Sequence, residues 1–154
     1  MNHSFNVRVY GILINEKDEI LLSDEYIKGN AITKFPGGGL EYGEGTLDCL
    51  KREWREELEQ DIEVKEPIYT TDFFQISAFG DGRQIISIYY SVKTVSPFVK
   101  TVKLKPFDFD ELVDQAQALR WMPVNELTGD AVTLPIDKIV VGIIKNKQPH
   151  HPTH

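Results

Sequence analysis

GGLEYGEGTLDCLKREWREELEQ, residues 38–60, joins a glycine-rich loop to the clearest helix signal in the chain. Leu47, Leu50, Trp54 and Leu58 fall at helical spacing and predict one apolar stripe over residues 46–60. Gly45 or Thr46 can cap the start, and Asp48 in the first turn suits the helix dipole. The same stretch holds seven acids against three bases, so more than half of the chain's net charge of −7 is concentrated in one loop and one helix. Glu53, Glu56 and Glu57 share a face spanning roughly 100° of arc beside the apolar stripe. Carboxylates crowded in this way repel. They are tolerated when solvated, when paired with arginine, as Arg52 and Glu56 can pair, or when a hard cation such as Mg²⁺ or Mn²⁺ sits among them. The loop feeding the helix exposes backbone amides and carbonyls, which suits a metal–phosphate complex.

Outward from this segment, Phe35-Pro36-Gly37-Gly38-Gly39 cannot be helix interior and lets the backbone approach something closely. Residues 5–15 read as a strand and 19–23 as a second that pairs back on it in a hairpin, with 24–33 as loop. Downstream, residues 62–76 read as extended with Pro67 interrupting, 79–83 as a turn, and 84–95 as a central strand rich in β-branched and aromatic residues. Residues 96–109 carry no clear signal. Residues 110–117 suit a short helix or turn, 120–124 a strand and 125–127 a helical turn. Residues 135–145 predict a second helix with Ile136, Ile139, Val140, Ile143 and Ile144 on one face. The element order gives a mixed α/β or α+β class, a mixed β-sheet covered by helices, in a single domain over residues 1–147. The tail, residues 148–154, is expected to be flexible, and its three histidines are read as part of a loose terminus rather than a metal site.

With 154 residues and 17.6 kDa, the chain can bury a sizeable core without staples. Its single cysteine, Cys49, excludes an internal disulfide and a cysteine-rich zinc site. The acidic balance (pI near 5.1) argues against a nucleic-acid polymer as partner. The longest apolar run, residues 139–144, is too short to span a membrane, and the first residues lack a signal-peptide pattern, so a cytoplasmic protein is expected.

The segment resembles the Nudix box, G-x5-E-x7-R-E-U-x-E-E-x-G-U with U apolar. Gly38, Glu44, Arg52, Glu53, Trp54, Glu56 and Glu57 fill seven of its nine specified positions. Glu59 stands where the pattern has glycine and Gln60 where it has an apolar residue, so the helix exit is expected to end differently or run longer, with Ile62 replacing the missing apolar contact. The resemblance implies an α/β/α sandwich and metal-dependent hydrolysis of a phosphoanhydride bond in a nucleoside diphosphate-X or similar small nucleotide, with Mg²⁺ or Mn²⁺. By position it implies Glu53, Glu56, Glu57 and the Gly38 carbonyl as metal ligands, Glu53 or Glu56 in catalysis, and Arg52 orienting the carboxylates. Glu44 would hold that arginine. Arg8, which alternation points opposite to Val7 and Val9, reads as a phosphate clamp or as a surface salt bridge, since an arginine fork suits either partner; as a clamp it would with Gly39 and Glu41 contact substrate phosphate.

The family often places a further acid before a tryptophan like Trp121; here Arg120 stands there, and Asp108, Asp110, Glu111 and Asp114 are the substitutes considered. Tyr26, Tyr42, Phe73, Phe74 and Phe79 are candidates to stack on a base, although most are expected in the core. Residues 72–78 carry no subfamily marker. A homodimer is compatible with the resemblance. Two rivals stand beside the hydrolase: a nucleotide-sensing module that does not cut, and an isoprenoid diphosphate isomerase, which needs extra acid–base groups.

Overall fold

The computed structural model describes residues 3–147. Its elements are β1 (Phe5–Ile12), β2 (Glu19–Ile27), β3 (Asn30–Lys34), β4 (Gly37–Gly39), α1 (Thr46–Leu58), β5 (Ile62–Thr70), β6 (Gln84–Thr94), β7 (Ala116–Pro123) and α2 (Pro135–Lys147). The strands form a mixed four-stranded sheet, β4-β1-β6-β5, and an antiparallel three-stranded sheet, β3-β2-β7. Among the paired strands of the described residues, β1 and β6 alone run parallel. The fold is therefore α+β, with α1 and α2 covering two sheets instead of one. The histidine-bearing tail lies outside the described residues.

The expected hairpin of β1 on β2 does not form. The two strands leave a tight turn, share one isolated bridge at Ile14 and Ile20, and enter different sheets. Each takes neighbours on both edges, β4 and β6 for β1 and β3 and β7 for β2. The stretch expected as loop is instead a second hairpin: β2 continues to Ile27 and returns as β3 through Lys28 (φ 50°) and Gly29 (φ 80°). Two central residues at positive φ are the type I′ geometry that matches strand twist. Lysine at the first of them hid the signal.

Alternation along β1 sends Val9 toward α1 and Tyr10 and Ile12 toward α2. On the α1 side Cys49, Leu50, Trp54 and Leu58 pack with Val9, Leu21, Val92 and Leu119. Leu47, placed in the stripe by spacing, is 48% exposed, and Cys49 takes the buried position. Trp54 lies against Gly11, where an added Cβ would meet the indole at 3.0 Å, and its Nε1 donates to the Pro36 carbonyl at 3.2 Å. This ties the helix to the proline–glycine segment. On the α2 side the buried stripe is Ile136, Asp137, Val140, Val141 and Ile144, rotated from the expected face so that Ile139 is exposed.

The helix exit of α1 keeps the geometry that glycine usually supplies. Glu59 itself adopts the left-handed conformation (φ 53°, ψ 38°), and its N–H donates to the Trp54 carbonyl. Gln60 is buried, its Nε2 donating to the Ser96 carbonyl at 2.9 Å, and Ile62 joins the α1 core.

Candidate active site

A cleft of about 310 Å³ opens between the two sheets. Even-numbered residues of β1 and their β6 partners form its floor: Arg8 pairs with Ser87 and Tyr10 with Tyr89. Glu25 and Lys34 enter from β2 and β3, Glu53 and Glu57 from α1, and Asp137 from the first turn of α2. The β5–β6 connection adds Ile76 and Phe79.

Arg52 organises the acidic end. Its Nε and Nη2 donate to the two carboxylate oxygens of Glu44 at 2.9 and 2.7 Å. Nη1 reaches Glu53 at 3.1 Å and Glu56 at 3.2 Å, and Nη2 also donates to the Gly39 carbonyl at 3.0 Å. Such bidentate, charge-assisted contacts fix direction as well as distance. They hold the Glu44 carboxyl down at about 2, with the Glu41 backbone N–H adding to the effect. The guanidinium is correspondingly held more firmly protonated.

Glycine is required where Glu53 packs. A Cβ on Gly38 would sit on the Glu53 carboxylate, and one on Gly37 would sit on the Val9 carbonyl. Glu57, one turn on from Glu53, titrates above the usual carboxylate range because its surroundings displace water, with the Lys34 charge partly opposing. Across the cleft the Arg8 Nε donates to the Tyr10 hydroxyl at 2.6 Å. Lys34 is buried, its Nζ 3.1 Å from Glu25.

The part of the lining that α2 supplies carries one buried acid, Asp137. Tyr89 donates its hydroxyl to Asp137 Oδ1 at 2.5 Å, while Asp137 Oδ2 has no hydrogen-bond partner among the described residues. Burial raises the Asp137 carboxyl to about 6, against the opposing effects of the Tyr89 hydrogen bond and the Lys34 charge. The Tyr89 hydroxyl is pushed up by the same burial and by that carboxylate.

Of the residues singled out in the sequence, Arg8, Gly38, Gly39, Glu53 and Glu57 line the cleft. Glu44, Arg52 and Glu56 are outside its lining, with Arg52 bonded to both carboxylates. Glu41 is exposed, 3.7 Å from Arg52, and outside the cleft lining. No group of three His, Cys, Asp or Glu side chains among the described residues closes into a metal cage. Arg120 is buried in a bidentate pair with Asp24 at 2.8 and 3.0 Å. Asp110 pairs with Lys103, and Asp114 accepts from the Lys28 N–H. None of the four substitute acids lines the main cleft; the carboxylates from outside the box that do so are Glu25 and Asp137. Of the five aromatics only Phe79 lines it, and the core expectation fails for Tyr42, Phe73, Phe74 and Phe79, all exposed. Lys34, Glu25 and Asp137 escaped the sequence reading; charge inside otherwise apolar or strand-like runs was the available signal.

The NUDIX domain matches residues 4–140. The chain belongs to the NUDIX family. Nudix proteins are generally pyrophosphohydrolases. Solved structures agree on the fold. The solution structure of the E. coli ORF135 protein is 21% identical, with a TM-score of 0.69, covering 94% of this chain and 91% of that one. A MutT Nudix hydrolase from Burkholderia pseudomallei is 18% identical, with a TM-score of 0.69, covering 94% and 99%. An ADP-ribose pyrophosphatase from Streptococcus suis is 13% identical, with a TM-score of 0.55, covering 94% of each. No curated protein matches the chain. No helix among the described residues is long and apolar enough to cross a membrane.

Proposed function

We propose that this Nudix protein is a metal-dependent hydrolase that cleaves a phosphoanhydride bond in a small nucleotide or nucleoside diphosphate-X, by attack of water on phosphorus, in the cytoplasm. The observation that carries the reading is the pair Glu53 and Glu57 facing Arg8 and Lys34 across one cleft. Carboxylates for a cation and cations for phosphate thus share a single space.

The donors fit Mg²⁺ or Mn²⁺. They are hard oxygens, Glu53 and Glu57 with the Gly38 carbonyl, and Glu56 is one Arg52 contact away. Mg²⁺ usually takes only one or two carboxylates and fills its shell with waters and substrate phosphates, so a closed three-carboxylate cage is not needed. The chemistry such a cation supplies when bound is neutralisation of phosphate charge and activation of water. The chain's own part is positioning. Arg52 holds Glu53 and Glu56 in fixed directions, and Glu44 holds Arg52. Gly38 leaves room for the Glu53 carboxylate to lie against the backbone, where Glu53 acts as ligand or as base toward water. Arg8 contacts phosphate, and Ile76 and Phe79 take the non-phosphate half.

The isomerase rival is disfavoured by Cys49. Its thiol is buried and pushed up to about 12, and its Sγ points at the Gly39 carbonyl. The sensing module is disfavoured by the complete Arg-Glu-Glu-Glu set.

The deciding experiment is a hydrolysis screen. Nucleoside triphosphates, nucleotide sugars, ADP-ribose and dinucleoside polyphosphates are each offered with Mg²⁺, with Mn²⁺ and with chelator, and products are identified. Metal-dependent cleavage of one class is expected. Binding without cleavage across the panel would favour the sensor.

A further inference from the structure

Arg8 and Lys34 are the two cations among the described residues lining the cleft, against the acids Glu25, Glu53, Glu57 and Asp137. A polyphosphate entering that space meets an acidic excess, so each cation matters. Lys34 is 5% exposed, and burying an ammonium carries a desolvation penalty that a purely structural position seldom justifies: apolar replacements at buried ion pairs are often neutral or stabilising.

The way Lys34 is held separates it from the other lysines. Its Nζ lies 3.1 Å from Glu25 Oε2 but 3.4 and 3.3 Å from the carbonyls of Phe35 and Gly37. The latter two exceed the usual range for N–H···O bonds. The more exposed Lys138 makes two carbonyl contacts at 2.7 Å, and Lys100 one at 2.7 Å. The buried ammonium is therefore the more loosely satisfied one. Glu25, by contrast, keeps an independent partner, the Ser23 hydroxyl at 2.8 Å, which itself accepts from Gln117 at 2.8 Å. Loss of Lys34 leaves that carboxylate hydrogen-bonded. The Tyr10 ring, 5.3 Å from Nζ, and the Arg8 guanidinium, 5.7 Å from the same ring, set the two cations around one aromatic platform.

We propose that the Lys34 ammonium is a phosphate contact of this cleft, paired with Glu25 in the free protein and exchanging that carboxylate for a phosphate oxygen when a diphosphate binds. The inference deepens the hydrolase reading by naming a specificity-determining residue on β3, and it rests on the same cleft being the substrate site.

The test is a double-mutant cycle on binding, with inorganic pyrophosphate as the probe, titrated calorimetrically with chelator and again with Mg²⁺. The four proteins are the parent, Lys34→Met, Glu25→Gln and the double variant, each checked for its unfolding midpoint. Lys34→Met is expected to weaken pyrophosphate binding about tenfold, the scale of one charge-assisted hydrogen bond. Glu25→Gln is expected to tighten it several-fold when Lys34 is present and by no more than about twofold when Met stands at 34, because only the first frees an ammonium. Binding by Lys34→Met within twofold of the parent overturns the proposal. So does an equal effect of Glu25→Gln in both backgrounds, which signals plain charge repulsion, or no pyrophosphate binding by the parent in either condition. If Lys34→Met does not fold, Lys34→Gln takes its place, since an amide still donates to the Phe35 and Gly37 carbonyls. The two readings fail separately: Lys34-dependent pyrophosphate binding without turnover sinks the hydrolase and keeps this contact, and turnover with a neutral Lys34 does the reverse.

Discussion

Replacing Asp137 by asparagine should make the protein more stable at neutral pH and leave it nearly unchanged in acid. Asp137 is fully buried, and its carboxyl titrates near 6 in the fold against an ordinary value of 3.8. Its folded pKa is therefore raised. Between about pH 4 and 6 the native state holds a proton that the unfolded state has lost, so stability falls as pH rises through that window, and the whole penalty is present above it. A gap of about two units at 1.36 kcal/mol each amounts to roughly 3 kcal/mol. Asparagine has the same shape, cannot ionise, and still accepts the Tyr89 hydroxyl proton through Oδ1. What it adds is an amide N–H pair on the Oδ2 side, where no hydrogen-bond partner stands among the described residues, at a cost of about 1 kcal/mol at every pH. The expected gain at pH 7 is thus about 2 kcal/mol, shrinking to within about 1 kcal/mol of zero at pH 4.

The assay is urea unfolding of parent and variant at 25 °C in steps from pH 4 to 7.5, taking the difference at each step. The other titrating groups, Glu57 with its raised carboxyl included, are common to both proteins and largely cancel. A difference that is flat with pH would refute the reasoning, because a packing or hydrogen-bond effect has no reason to follow a carboxyl titration. A difference that grows toward acid would refute its sign.

Other substitutions separate the roles of the box residues. Glu57→Gln and Glu56→Gln should each lower turnover by orders of magnitude while unfolding free energy stays within about 1 kcal/mol, since neutralising one of several crowded carboxylates relieves repulsion; full activity in either would remove that residue from the ligand set. Arg52→Lys should lower turnover about 10- to 100-fold, the usual effect of losing a group that orients ligands, because an ammonium cannot hold Glu44 bidentately and reach Glu53 and Glu56 together. Gly38→Ala should abolish turnover at little cost in stability, since the added methyl meets only the movable end of Glu53, whereas Gly37→Ala, which meets the Val9 backbone, should lower the melting temperature sharply. Glu59→Gly should stabilise the protein by about 0.5–1 kcal/mol in thermal unfolding, the relief of a left-handed residue less the added chain entropy.

The parts of the molecule legible in the sequence are those whose partners lie within a few residues. The α1 stripe, the carboxylates beside Arg52 and the glycine approach before them all follow from one helix and one loop. Even Arg8 could be assigned the side opposite Val9, because alternation is a local property of a strand. Its neighbours could not, since Ser87 and Tyr89 reach it through a parallel pairing across almost eighty positions. Lys34 and Glu25 fail for a subtler reason. They are nine residues apart, yet they meet only because β2 turns back at Lys28-Gly29 in one register, with Ser23 opposite Lys34. Slip that register by one residue and each charge changes face. A turn with lysine where asparagine or aspartate would announce it thus conceals the strand pair and the cation it carries into the cleft. Asp137 is concealed differently. Near a helix start an aspartate suits the dipole while exposed, so the sequence offers a sufficient reason for it. Only the rotation of α2, set by Val140, Val141 and Ile144 packing on the sheet, turns that carboxylate inward to face Tyr89.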